Sequence, residues 1–190
     1  MKEMLLAAAL LVPFVVTTTK AEPTAQAVAG FTAVDLSDTF VDALGALGVT
    51  PASIAPGALV GQTATFPISG GALDLETSGG EIIHTGGLSL STADTTVRLS
   101  NFTIDTINSA DPLLTGLVSV NGDLVGRLPL FALSLNDAPT VIASSLSIPN
   151  VDLMLGQDAA DALNNAFNIN ALSGGIDIGS ANVQAAVSVP

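Results

Sequence analysis

The chain has 190 residues, with 4 Lys+Arg against 17 Asp+Glu, 48% hydrophobic residues, one His, and no Cys, Trp or Tyr. That length suits one domain with an ample core, and the lack of cysteine excludes a disulfide framework, a thiol nucleophile, an iron–sulfur cluster and a Cys-type zinc site. A formal net charge of −13 repels phosphate backbones and anionic headgroups, so neither nucleic-acid binding nor electrostatic membrane docking is expected.

At the N-terminus, Lys2 and Glu3 precede an apolar run over 4–16 and then small residues up to Ala27. About 13 apolar residues fall short of the roughly 20 that a membrane-spanning helix needs. The layout is that of a secretory signal, with a short charged end, an apolar centre and a small-residue cleavage site. Cleavage fits after Ala21 or after Ala27; Ala25-Gln26-Ala27 is the better small-residue pattern, so residues 1–27 are assigned to the signal and 28–190 to a single domain. Removing them takes away both lysines and two glutamates, leaving Arg98 and Arg127 as the cations of the mature chain. No later run is long enough to span a membrane.

The first element of the mature chain is a helix over 37–48, with Ser37 or Asp38 as cap, Phe40, Val41, Leu44 and Leu47 apolar, and Gly48 as terminator. Pro51 and Pro56 prevent its continuation. Period-two strands follow over 63–68, 72–76, 81–85 and 88–91, with turns at Gly70-Gly71 and 78–80. A long strand over 95–106 loses strict alternation between Leu99 and Phe102, which predicts a bulge near Ser100-Asn101. The strand over 114–120 meets Asn121-Gly122, the strongest short hairpin signal in the chain. It returns through Leu124 to Leu133, where Pro129 predicts an edge position or a bulge. Strands over 141–148, 151–154 and 176–189 complete the set. A second helix over 157–168 carries an Ala159, Leu163, Ala166 and Phe167 stripe, with Asp158 and Asp161 in its first turn. Short strands at this spacing predict an all-β antiparallel sandwich or open barrel with two short capping helices.

Candidate chemistry is sparse. His84 is the single histidine, so a two- or three-histidine metal centre cannot form within one chain. A Ser-His-Asp arrangement would need His84 as base, yet no Gly-x-Ser-x-Gly elbow presents a nucleophile. The bland alternative is a histidine at a strand end, bonded to a neighbouring backbone or carboxylate group. Asp74 with Glu76, and Asp158 with Asp161, are carboxylate pairs that solvated faces explain, and the aromatic platform of a sugar hydrolase is missing. Asp105, Asn108 and Asp111, with nearby carbonyls, make an oxygen-rich loop of the kind that calcium accepts; a charged turn is the competing account. Arg98 and Arg127 are each expected to pair with a carboxylate across strands.

Phe66-Pro67-Ile68, then Gly71, Asp74 and Gly80, then His84-Thr85-Gly86-Gly87-Leu88-Ser89-Leu90, then the strand over 97–104, resemble the HtaA-like haem-transport-associated domains of bacterial surface proteins. The likeness runs over 57–175, including the Ala-rich helix ending at Phe167. It implies an all-β, helix-capped fold at a secreted or cell-surface location. It also implies haem as cofactor, held in that family by a tyrosine with a supporting histidine. His84 matches the histidine; the chain has no tyrosine. His84 as iron ligand, joined by Met154, the sole methionine of the mature chain, is therefore the arrangement that the resemblance leaves. The leading expectation is a secreted, non-enzymatic binding or structural domain of the bacterial cell exterior. Haem or porphyrin capture through His84 is the alternative, as is self-association through exposed strand edges. An apolar small molecule suits the composition better than an anionic one.

Overall fold

The computed structural model describes residues 24–107 and 110–188. Twelve strands and two helices follow in chain order: β1 (Thr24–Leu36), α1 (Asp38–Ala46), β2 (Thr50–Ile54), β3 (Ala58–Val60), β4 (Thr63–Asp74), β5 (Gly80–His84), β6 (Gly87–Ser91), β7 (Thr96–Asp105), β8 (Leu113–Val120), β9 (Asp123–Leu135), β10 (Thr140–Ile142), β11 (Ser145–Leu155), α2 (Gln157–Phe167) and β12 (Asp177–Ser188).

The sheet runs β7-β5-β4-β1-β12-β11-β9-β8 and closes through β7–β8 pairing, making an eight-stranded antiparallel barrel. This replaces the expected sandwich or open barrel. Closure is possible because β7 offers one edge to β8 along its whole length and the other to β5 and β6 in succession: Thr103–Asp105 pair with β5, and Thr96–Ser100 with β6. Strand alternation puts Val34, Leu36, Ile82, Ile104, Leu153 and Val183 inside. Ile82, Leu146, Val97 and Val183 are fully buried, each contributing about 1.5–3 kcal/mol relative to exposure.

Several local signals in the sequence become geometry. Asn121 and Gly122 both take positive φ in the β8–β9 turn. The register shifts opposite Pro129, and again between Ser100 and Thr103, where Asn101 is left-handed and Leu99 and Phe102 both point inward. Ser37 caps α1 by accepting from the Phe40 N–H at 3.1 Å.

Other expectations change. Gly70-Gly71 is not a turn; β4 runs through it, with a bulge at Ser69. Gly71 is needed there because its φ is +146° and a Cβ would lie 2.3 Å from the Glu81 carbonyl oxygen. The expected strand over 141–148 is a hairpin, β10–β11, turning at Ala143, and β11 continues through a bulge past Asn150 to include the expected strand over 151–154. β1, β2 and β3 lie where the sequence reading placed no strand. β1 starts at Thr24, inside the segment assigned to the signal, and Ala25 and Ala27 are buried. A cut after Ala27 would remove residues paired with β4 and β12, whereas a cut after Ala21 leaves β1 whole. The apolar run over 4–16 lies outside the described residues.

The register fixes the ends of the barrel. Leu36 pairs with Gly179, and Met154 with Asp177, so α1, which follows β1, and α2, which follows β11, leave from the same end. At that end β9 pairs with β11 only through Phe131–Leu135, so its first half projects beyond the rim with β8, the first half of β7, β6 and β2. This five-stranded wall faces the two helices.

Candidate functional site

His84 stands at a fork. β4 pairs with β5 as far as Ile68–His84, after which the chain passes through Thr85-Gly86 into β6 and leaves β4 to pair with β3. The Thr85 N–H bonds to the Pro67 carbonyl at 3.0 Å, and the Asn101 N–H to the Gly86 carbonyl at 2.9 Å. At Gly86, with φ +82°, a Cβ would lie 2.4 Å from the Gly57 nitrogen, so only glycine lets the 54–57 loop close over the fork.

Alternation points His84 inward, where it is 2% exposed. Its Nε2 lies 2.7 Å from the Thr32 hydroxyl of β1, itself 3% exposed, and Nδ1 has no protein partner. Phe66 and Phe102 line the same interior, edge to face with ring centroids 4.9 Å apart, an arrangement worth about 0.5–1.5 kcal/mol beyond its area. Burial in this apolar setting lowers the His84 pKa to about 4, against smaller opposing effects of the Phe102 and Ile82 backbone. The imidazole is thus neutral at pH 7, and whichever tautomer bonds Thr32 leaves its second nitrogen unmatched, at about 1–3 kcal/mol.

A hydroxyl 2.7 Å from an imidazole nitrogen is the spacing of a nucleophile and its base. Here both groups are enclosed, and the free space among the residues around them is about 50 Å³, on the order of a few water molecules. Such a space admits neither a substrate nor a porphyrin. Met154 is on the outer face of β11, 36% exposed, between the inward Leu153 and Leu155. His84 and Met154 therefore face opposite sides of the barrel wall. With no tyrosine in the chain, the residues present do not fit a haem iron held through this histidine.

The other sequence candidates also resolve into structure. Asp105 ends β7 and its carboxylate accepts the Ile107 N–H at 3.0 Å, a local turn. Asn108 lies outside the described residues, Asp111 lies just before β8, and among the described residues no group of three or more His, Cys, Asp or Glu could hold a metal ion. Asp74 accepts the N–H groups of Glu76 and Thr77 at 2.8 Å each, capping the end of β4. Arg127 donates to the Thr103 and Thr115 hydroxyls and the Asn101 carbonyl, so its partners are neutral oxygens rather than the expected carboxylate.

A second, roomier space lies at the helix-capped end. Between α2 and the wall lies a chamber of about 420 Å³, bounded by Val97, Val118, Val120 and Leu128 on one side and by Ala162 and Ala166 on the other. Sequence reading found the α2 stripe but not the space in front of it. The signal was present in the small size of Ala159, Ala162 and Ala166, at helical spacing opposite valine-rich strands.

No family model and no curated protein sequence matches the chain. Solved structures do. The C-terminal domain of HtaA from Corynebacterium glutamicum superposes with a TM-score of 0.69 at 15% identity, over 86% of this chain and 99% of that one. A domain-swapped dimer of a histidine-to-alanine variant of that domain gives 0.59 at 18% identity, over 79% and 91%. The haem-binding protein HtaB of the same organism gives 0.58 at 11% identity, over 88% and 96%. A barrel closed through β7–β8, forked at His84 and capped at one end by two helices is thus the HtaA-like fold.

Proposed function

We propose that this chain is a secreted, non-enzymatic binding domain of the bacterial cell exterior, taking its ligand at the helix-capped end of the barrel and not on an iron centre at His84. The observation that carries the reading is the enclosure of His84: neutral, hydrogen-bonded to Thr32 and surrounded by aromatic and aliphatic side chains. A group so placed braces the fork between β4 and β6. The one hydroxyl–imidazole pair has no room for a substrate beside it, which supports a non-enzymatic role. Processing after Ala21 suits the fold better than after Ala27, since it spares the start of β1. Self-association through strand edges has weak support: barrel closure consumes most edges, and Pro51 withholds an N–H from the exposed edge strand β2.

Haem binding is the second reading, favoured by the name of the similar protein HtaB. Hemin titration of the mature protein, followed at the Soret band, separates the two. We expect no saturable red-shifted band, and no difference between wild type and His84→Gln, a variant that keeps a hydrogen-bonding group beside Thr32. A saturable band in the wild type that disappears in a folded His84→Gln protein would install haem instead.

A further inference from the structure

We infer that the chamber between α2 and the wall is a binding site for a small, uncharged, largely hydrocarbon molecule. The inference deepens the binding reading above by giving it a place and a ligand class.

The chamber is held open by construction. α2 is pinned at both ends: the Gly156 N–H bonds to the Leu130 carbonyl at 2.8 Å, and the Gln157 side chain accepts the Gly174 N–H at 3.0 Å. Near the far end, the Asn164 amide both donates to the Leu172 carbonyl and accepts its N–H, at 2.8 and 3.0 Å. Those ties fix the helix beside the wall, and on its chamber side Leu163 is the large apolar residue, between the short alanines at 159, 162 and 166. Leucines at those places would fill the gap, as large side chains do in the barrel body. The space is an apolar recess open to solvent at the β8–β9 hairpin, where Val125 is exposed.

Size and polarity set the guest. At about 420 Å³ the chamber falls within the size range of ordinary small-molecule sites. Asn165 is the one polar side chain in the lining, and no ionisable residue belongs to it. A charged guest would lose hydration without gaining a partner. Arg98, between the lining residues Val97 and Leu99, is exposed on the opposite face of β7, and Arg127, beside Leu128, is occupied by Thr103, Thr115 and Asn101. The chamber walls are almost wholly aliphatic, so hydrocarbon placed there leaves water without stranding a polar group. Val125 both lines the chamber and is exposed beside Leu124 on the β8–β9 hairpin, providing an apolar lip by which such a molecule enters.

The test uses the uncharged fluorophore aminonaphthalene with the whole chain. We expect saturable binding with a blue-shifted emission, displacement by decanol, and at least a tenfold loss of affinity in Ala162→Phe, whose ring occupies the chamber. Ala46→Phe on the exposed side of α1 should bind as wild type does. Should Ala162→Phe misfold by circular dichroism, Ala166→Leu takes its place with the same expected direction. Unsaturable binding, or affinity unchanged in the folded chamber variants, overturns the inference. Binding that falls as the protein is concentrated assigns the chamber to a second copy of the chain and overturns it as well. Hemin bound equally by wild type and Ala162→Phe, with aminonaphthalene not bound, would sink the chamber while leaving a binding role at another surface.

Discussion

The barrel body and the helix-capped wall are built from the same alternating strands, yet they use side-chain size in opposite ways. In the body, Phe66, Phe102, Ile104 and Leu153 surround a space of about 50 Å³, even with an imidazole among them. Along the wall, valines face alanines and about 420 Å³ stays open. The body tolerates a buried polar group because it gains a hydrogen bond to Thr32; the wall carries almost none and so has no means of holding water. The first region therefore determines stability, and the second is free to serve a ligand.

The contrast is broken most forcefully by cavity-making substitutions. Ile82→Ala, at a residue 0% exposed, should lower unfolding free energy by about 2–5 kcal/mol, while Leu163→Ala, on the chamber side of α2, should cost clearly less because it widens a space already open. Urea unfolding at constant m-value measures both; equal losses would mean that the two regions are packed alike. Acid sharpens the contrast next. The folded-state pKa of His84, about 4, lies below its unfolded value of 6.5, so the unfolded chain binds the proton more readily. Its contribution is complete above pH 6.5 and is lost as pH falls through 4, amounting to about 3 kcal/mol. His84→Gln should remove that slope and leave only the carboxylate part of the acid profile; parallel profiles for wild type and variant would place the imidazole in solvent. The smallest effect belongs to Met154→Ala. With its side chain on the outer face, the variant should stay within about 0.5 kcal/mol of wild type in thermal unfolding, and a larger loss would reassign Met154 to the core.

Much of the strand layout was legible because local chemistry specifies it. Asn121-Gly122 needs positive φ at both positions, Pro129 lacks an N–H for the ladder, and Leu99 with Phe102 cannot both face inward without a bulge. Ser37, Gly48 and the apolar spacing between them likewise announce α1. Barrel closure was not legible, since it depends on β7 dividing one edge between β5 and β6, a long-range choice that no short pattern encodes. Gly70-Gly71 looked like a turn because close backbone approach and chain reversal both call for glycine. β1 was hidden by its small residues, which imitate a cleavage site at Ala25-Gln26-Ala27. Missing β1 also hid Thr32, the hydrogen-bond partner of His84. The resemblance drew attention to His84 and suggested an iron ligand; only the inward register of β5 showed that the ring is enclosed.

The pairing of β1 with β12 bears on how the molecule is made. Gln26 lies opposite Ser188, and Leu36 opposite Gly179, so β1 pairs with a strand far along the sequence. Bringing such distant segments together carries a loop-closure cost that is recovered only when the ladder forms, which makes this a slow, high-contact-order topology. During synthesis β1 emerges long before β12, leaving an interval in which β1 has β4 on one side and an open edge on the other. Closure of the barrel waits on β12 joining that edge, the most distant pairing in the sheet.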